Sequence, residues 1–156
     1  MIYKRMKGTI METIVQAKRV LEIFKEMSQI PRESGNEKGI SDYIVNFAKN
    51  LGLEAHQDEI LNVVIKKDAS PGYESRPSII IQGHIDMVCV KDHASNHDFS
   101  KDPIANIIEG EWMRADHTTL GADNGMGAAM MLAILEDENQ QHGPMQLLFT
   151  TNEETG

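Results

Sequence analysis

Ser78-Ile79-Ile80-Ile81-Gln82-Gly83-His84-Ile85-Asp86 is the stretch whose reading decides the fold. Ser78 to Gln82 is a continuous apolar run set between Pro77 and Gly83, the pattern of a buried, parallel-type central strand. A second run of this kind, Met145 to Thr150, lies far downstream. Between them, Met126 to Leu135 is apolar nearly all round, which predicts a helix buried on more than one side. Helix and strand alternate along the chain, which favours an α/β class over all-α or all-β. The expected architecture is a mixed, mainly parallel sheet flanked by helices.

Upstream, Ile14, Ala17, Leu21, Phe24 and Met27 recur at steps of three and four and predict an amphipathic helix beginning near Ile10. Gln29 to Glu33 interrupts it. Ser34-Gly35-Asn36-Glu37 has capping-box form and introduces a second helix, with Ile40, Ile44, Phe47, Ala48 and Leu51 on its buried face. Glu54–Asp58 and Asn62–Lys66 predict two short strands around a turn, and Asp68 to Gly72 a loop. Asp92 to Pro103 is polar and predicts a long loop. Ile107 to Arg114, with Glu109-Gly110-Glu111 in its middle, predicts a hairpin.

Composition narrows the function. The 156 residues carry 24 acidic against 15 basic side chains, a net charge of −9. That balance disfavours nucleic acid, which needs a clustered Lys/Arg surface, and an anionic membrane. No apolar stretch approaches the roughly 20 residues of a membrane span. Met1 to Gly8 is basic, but no apolar run succeeds it, so no signal peptide is expected. A single cysteine, Cys89, excludes an intrachain disulfide and fits a reducing compartment. These features read as a cytoplasmic protein, with Cys89 an inert, buried thiol.

Three clusters carry candidate chemistry. His84 and Asp86 come directly after the first buried strand, Glu153 and Glu154 directly after the second, and Asp123 opens the buried helix. Ligands of open α/β sheets bind beyond the carboxyl ends of strands and at helix N-termini, so all three clusters are expected on one rim. Imidazole and carboxylate suit zinc and similar divalent ions. A His-x-Asp pair leaving a strand sends both side chains to one side, so one can ligate while the other orients it. Of two adjacent glutamates, one can bind metal and the other face a bound water. Two metals about 3.5–4 Å apart need a bridging carboxylate, for which Asp123 is placed. Each cluster also has a bland reading: His84 structural, Asp123 a helix N-cap, Thr150 to Glu153 a capping box, and Glu153-Glu154 solvated charge. None of these explains why all three sit at functional ends of buried elements. Nucleotide binding is poorly supported, because Gly125 and Gly127 lack a strand-Gly-x-Gly-x-x-Gly frame. The ten methionines read as core filler.

The residues Gly83 to Val88, His97 to Ile104, Thr118 to Gly125, His142 to Pro144 and Thr151 to Gly156, in this order and spacing, resemble the aminoacyl-histidine dipeptidases. These are cytosolic co-catalytic zinc peptidases, related to aminoacylases, carboxypeptidases and tripeptidases. The His-x-Asp, Gly-Ala-Asp-Asn-Gly and Glu-Glu motifs mark the wider clan, and the His97-Asp98-Phe99…Asp102-Pro103-Ile104 loop narrows it to the histidine-dipeptidase branch. The resemblance implies two divalent metals, zinc with manganese or cobalt as options, and a small peptide substrate. It implies that His84 ligates one metal, oriented by Asp86, and that Glu154 ligates the other. Asp123 would bridge both, through a peptide to Asn124 that is cis in relatives. Glu153 would be the general base that takes a proton from the attacking water and returns it to the leaving amine.

By the same resemblance, residues 1–156 are expected to be the N-terminal part of a catalytic domain. The rest of that domain, further ligands and a lid domain carrying homodimer contacts would lie elsewhere. Three protein ligands shared between two metals are too few for tight binding, so the chain alone is expected to be inactive. The alternatives are a related amidohydrolase, aminoacylase or tripeptidase, and a non-enzymatic chain with weak metal binding or protein association. His117 stands where relatives more often carry a small residue. Substrate contact by His93 or His97, or ligation by His117, is left open.

Overall fold

The computed structural model describes residues 16–156. The predicted helix start at Ile10 and Ile14, and the basic Met1 to Gly8, lie outside the described residues. Helix α1 is described from 16 to 27, and its buried side chains are Ile23, Phe24 and Met27, while Leu21 is exposed. The helix ends where the Ser28 hydroxyl donates back to the Phe24 carbonyl at 2.8 Å. Helix α2, Lys38–Asn50, buries Ile40, Ile44 and Ala48 at the predicted spacing. Helix α3, Ala122–Glu136, buries Ala128, Ala129, Met131, Leu132 and Leu135.

Strands β1 (Ala55–Gln57), β2 (Val63–Lys67), β3 (Ile79–His84) and β6 (Met145–Thr150) form one sheet in the order β1-β2-β6-β3. Strands β4 (Asn106–Glu109) and β5 (Trp112–Ala115) form the predicted hairpin. In β6, Met145, Leu147 and Phe149 are buried and alternate with half-buried Gln146, Leu148 and Thr150. The buried face of β6 and β2 joins the inward faces of all three helices in one hydrophobic core. The fold is therefore a mixed α/β sheet flanked by helices.

Two expectations about the sheet need correction. One of its three pairings, β3 with β6, is parallel, while β1–β2 and β2–β6 are antiparallel, so parallel pairing does not predominate among the described residues. The β1–β2 hairpin adds to β6 as a unit, which imposes the antiparallel contacts. β3 is also an edge strand of this sheet rather than a central one, with Ile79 and Ile80 49% and 67% exposed. An apolar run reports what the faces of a strand favour, not how many neighbours it has.

The capping box expected at Ser34 to Glu37 is absent as well, and so is the one that Thr150 to Glu153 could have formed. Glu37 is the N-cap residue of α2 but makes no side-chain cap bond, and Asn152 likewise precedes the short 3-10 turn Glu153–Thr155 without one. Ser34 and Glu37 are drawn instead into tertiary contacts with Asp86 and Asn152.

Two polar devices fasten the periphery. Lys67 Nζ donates to the carbonyls of Ile134, Leu135 and Asp137 at 3.0, 2.9 and 3.2 Å, closing the C-terminal end of α3 where carbonyls lack helical partners. Farther along, 88–92 is laced to 117–119. Thr119 N donates to Val90 O at 2.8 Å, Asp92 N to His117 O at 3.1 Å, and the His117 imidazole bonds the Asp92 carboxylate. His117 has φ of 56°, a left-handed conformation that residues other than glycine seldom adopt. Asp92 holds the His117 imidazole above its usual range, and that ring holds Asp92 below the usual carboxylate range.

Lys67→Met is expected to lower unfolding free energy by about 1–2 kcal/mol, because three helix-end carbonyls lose a charged donor. Urea denaturation checks this, with exposed Lys66→Met as a control expected within about 0.5 kcal/mol of wild type. The His117 contribution is complete below the unfolded imidazole pKa and is lost as pH rises through the raised folded value. That of Asp92 is present above the unfolded carboxyl pKa and is lost as pH falls through the lowered one. Asp92→Asn should therefore lower the urea midpoint more at about pH 6 than at about pH 9. Equal deficits at both values would show that the pair has no charge coupling.

Candidate metal centre

Parallel pairing builds the site. β3 and β6 run in register from Ile79↔Met145 to His84↔Thr150, and Ile85 N continues the ladder to Thr150 O at 2.8 Å. The residues at the two strand exits, His84-Ile85-Asp86 and Glu153-Glu154, are therefore delivered to the same end of the sheet. Helix α3 begins there too, with Gly121 as its N-cap residue and Asp123 in its first turn. Asp123 itself has an extended backbone (φ −86°, ψ 115°) at a kink in that turn. The Asp123–Asn124 peptide is cis.

The predicted convergence on one rim is present. His84 Nε2 lies 3.2 Å from Asp123 Oδ1 and 3.7 Å from Glu153 Oε2. Potential ligand atoms of His84, Glu153 and Glu154 all fall within 4.8 Å of one another. On the opposite side of the ring, His84 Nδ1 is 3.3 Å from Asp86 Oδ1, although buried Nδ1 makes no aligned hydrogen bond. The imidazole is held edge-on, with Nε2 turned to the carboxylates that reach solvent. The Asp123 and Glu153 side chains are 88% and 56% exposed, whereas Asp86 is fully buried.

Asp86 has every reason to stay ionised. Burial by itself would raise its carboxyl, but the Ser34 hydroxyl at 2.7 Å and the backbone N–H groups of Glu154 and Glu153, at 3.1 and 3.2 Å, outweigh it. The net effect holds Asp86 below the ordinary carboxylate range. The same two backbone bonds mean that Asp86 caps the 3-10 turn from across the sheet, the role that local sequence assigns to Thr150.

The donor set fits a divalent cation. Asp86, Asp123 and Glu153 surround one imidazole, Glu154 is adjacent, and among the described residues no lysine or arginine pairs with any of the four carboxylates. Imidazole plus carboxylate oxygen is the ligand chemistry of zinc and its neighbours. Glycine permits the close approach: a Cβ at Gly127 would lie 2.0 Å from Asn124 Oδ1, and one at Gly83 would lie 3.1 Å from Asn124 Nδ2. A Cβ at Gly127 would thus displace the Asn124 side chain, while one at Gly83 would only crowd it.

The structure also brings in residues that the motifs left unassigned. Arg32 bonds carbonyls at Ile85, Asp86 and Gly121; Ser34 bonds Asp86; and buried Glu37 accepts the Asn152 N–H at 3.1 Å. One short segment thus touches all three clusters. Its Ser34…Glu37 spacing is also that of a capping box, which masked the signal. Other candidates stand apart. His117 is engaged with Asp92, and His93 is exposed. His97 is half-buried, edge-on to Phe99 at 4.6 Å between ring centroids. Burial pushes the half-buried Cys89 thiol up to about 11, in keeping with an inert role.

No protein-family model matches the chain. It is 46% identical over 135 residues to the cytosol non-specific dipeptidase of Escherichia coli K12, covering 86% of this chain and 28% of that protein. The crystal structure of aminoacylhistidine dipeptidase from Vibrio alginolyticus matches with a TM-score of 0.85 and 43% identity, covering 88% of this chain and 28% of that one. A tripeptidase from Staphylococcus aureus matches at a TM-score of 0.72 and 27% identity, over 89% of this chain and 37% of that one. The chain accordingly spans 28% to 37% of the length of these relatives. With identity above two-fifths across most of its residues and the same fold, this chain is homologous to part of the cytosol non-specific dipeptidase and of the aminoacylhistidine dipeptidase.

Proposed function

We propose that the protein carrying this chain hydrolyses dipeptides, Xaa-His dipeptides among them, at a two-metal centre to which residues 1–156 contribute the N-terminal part of the catalytic domain. The observation that carries this reading is the approach of His84 Nε2 to Asp123 Oδ1 and Glu153 Oε2 at 3.2 and 3.7 Å, with no compensating basic side chain among the described residues. His84 would hold a metal through Nε2, with Asp86 beside the ring's other nitrogen to orient it. Glu154 and Asp123 would hold the metal ions together with His84. Zinc is the expected metal.

The bound ions supply a water of lowered pKa and polarise the scissile carbonyl. The remaining work falls to the chain. Glu153, exposed and just beyond the strand that ends at Thr150, accepts the proton of the attacking water and donates it to the departing amine. Asp86 stays ionised throughout, because its three donors stabilise the carboxylate, and so keeps the imidazole oriented. The E. coli relative's name supports a cytosolic setting and a broad dipeptide range, the Vibrio relative's a preference for aminoacyl-histidine. A second reading, cleavage of tripeptides, has the staphylococcal tripeptidase in its favour.

In the protein carrying this chain, Glu153→Gln is expected to lower kcat on β-alanyl-histidine by about 10²–10⁴-fold while leaving zinc content unchanged. A chelator should abolish turnover and added zinc or manganese restore it. Retention of wild-type kcat by Glu153→Gln would sink the assignment of the base. A panel of Xaa-His, other Xaa-Xaa and tripeptide substrates ranks the competing specificities by kcat/KM.

A further inference from the structure

Arg32 is the only lysine or arginine buried among the described residues, at 2% exposure. No carboxylate among those residues pairs with it. Its Nη1 donates to the carbonyls of Ile85 and Asp86 at 3.1 and 3.3 Å, and its Nη2 donates to the Gly121 carbonyl at 2.6 Å. Nε has no partner among them either. The guanidinium therefore joins the backbone beside His84 and Asp86 to the backbone two residues before Asp123. Its own carbonyl accepts the Met87 N–H at 3.1 Å, which fastens the Arg32 backbone to the same strand exit.

The surroundings are shaped to admit this group. Gly121 has φ of 69°, and a Cβ there would lie 2.5 Å from Nη2; a Cβ at Gly125 would lie 2.6 Å from the same atom. Two glycines flanking Asp123 thus make room for one guanidinium. Gly121 O is shared, since it also accepts the Gly125 N–H at 3.2 Å. The arrangement is a poor device for stability. Burial brings the guanidinium down to about 10, so the charge is held at a desolvation cost that no paired carboxylate offsets. What the planar fork supplies instead is geometry, because its donors sit at fixed angles and hold the Ile85 and Asp86 carbonyls at a fixed separation from that of Gly121.

We propose that Arg32 is a positioning residue that sets the spacing between the His84–Asp86 strand exit and the Asp123 segment, and so the separation of the ligands they carry. The inference rests on the reading of His84 and Asp123 as ligands of one centre. A purely structural role makes a different prediction, since either matching volume or matching charge would then suffice. Lysine keeps the charge but offers one point ammonium, and methionine keeps the apolar stem without any donor.

The test uses the whole chain with Arg32→Lys and Arg32→Met, read by amide hydrogen exchange and by titration with Co²⁺ alone. In both variants, exchange at Gly125 N–H is expected to accelerate at least tenfold while Leu147, in the β6 ladder, changes less than twofold. The dissociation constant for Co²⁺ is expected to rise at least tenfold in both, with the tetrahedral absorption bands altered. Rescue of Gly125 protection by either variant overturns the proposal, as does acceleration by the same factor at Gly125 and Leu147. Absence of Co²⁺ binding by the wild-type chain, with no effect of His84→Ala, would remove the metal reading; Gly125 exchange would then still decide whether Arg32 positions the Asp123 segment.

Discussion

A carboxylate with no exposure to solvent has to be satisfied on every side, and Asp86 is such a group. It takes the Ser34 hydroxyl and two backbone N–H groups, those of Glu153 and Glu154. Acceptor and donors come from three stretches of chain that are far apart in sequence: the exit of β3, the link between α1 and α2, and the exit of β6. Losing any one donor would strand part of a buried charge, a cost that exceeds what an ordinary hydrogen bond contributes. The knot at Asp86 therefore fixes where the Glu153-Glu154 turn begins relative to His84, and the candidate site inherits that registration.

Strand direction does the rest. Because β3 and β6 are parallel and in register up to His84↔Thr150, the residues beyond them emerge side by side. An antiparallel pairing would have put His84 and Glu153 at opposite ends of the sheet. The two antiparallel neighbours, β1 and β2, reach the rim through the loop that joins them, where the Asn62 side-chain oxygen accepts the Thr151 N–H at 3.0 Å and the Ile60 carbonyl accepts the Thr151 hydroxyl at 2.9 Å. They add hydrophobic cover, with Val63 and Ile65 in the core beside Leu147 and Phe149. Core and site are thus products of different strands of one sheet, which is why edge strand β3, with two exposed isoleucines, can still be central to the chemistry.

Much of this is legible in the sequence where the signal is local. The periodicity of Ile40, Ile44 and Ala48 locates α2, the Glu109-Gly110-Glu111 turn locates the hairpin, and the placement of His84, Asp123, Glu153 and Glu154 at ends of apolar runs anticipates their convergence. The failures share a cause. Apolar runs carry no information on neighbour count, so β3 reads as a central strand although it lies at the edge. Ser34 and Glu37 have the spacing of a local cap, and a local bond and a tertiary bond draw on the same side-chain oxygen. For Ser34 the tertiary partner won because Asp86 is fully buried, whereas a helix end can be satisfied by water. Arg32 leaves no pattern at all, since carbonyl acceptors are present at every residue and mark no position.

The site divides into a half that the fold has already paid to order and a half that it has not. His84 and Asp86 are buried, and Asp86 is held by three donors from the protein itself. Asp123 and Glu153 stand mostly in water, where the repulsion between their charges is screened and each keeps rotamer freedom. Drawing such carboxylates together in a closed, drier space would strengthen that repulsion several-fold unless a positive charge came with them. The described residues provide no lysine or arginine for the task. A cation brought from outside is the simplest solution, and on the function proposed above the buried imidazole, with Nε2 facing that space, would be its first ligand.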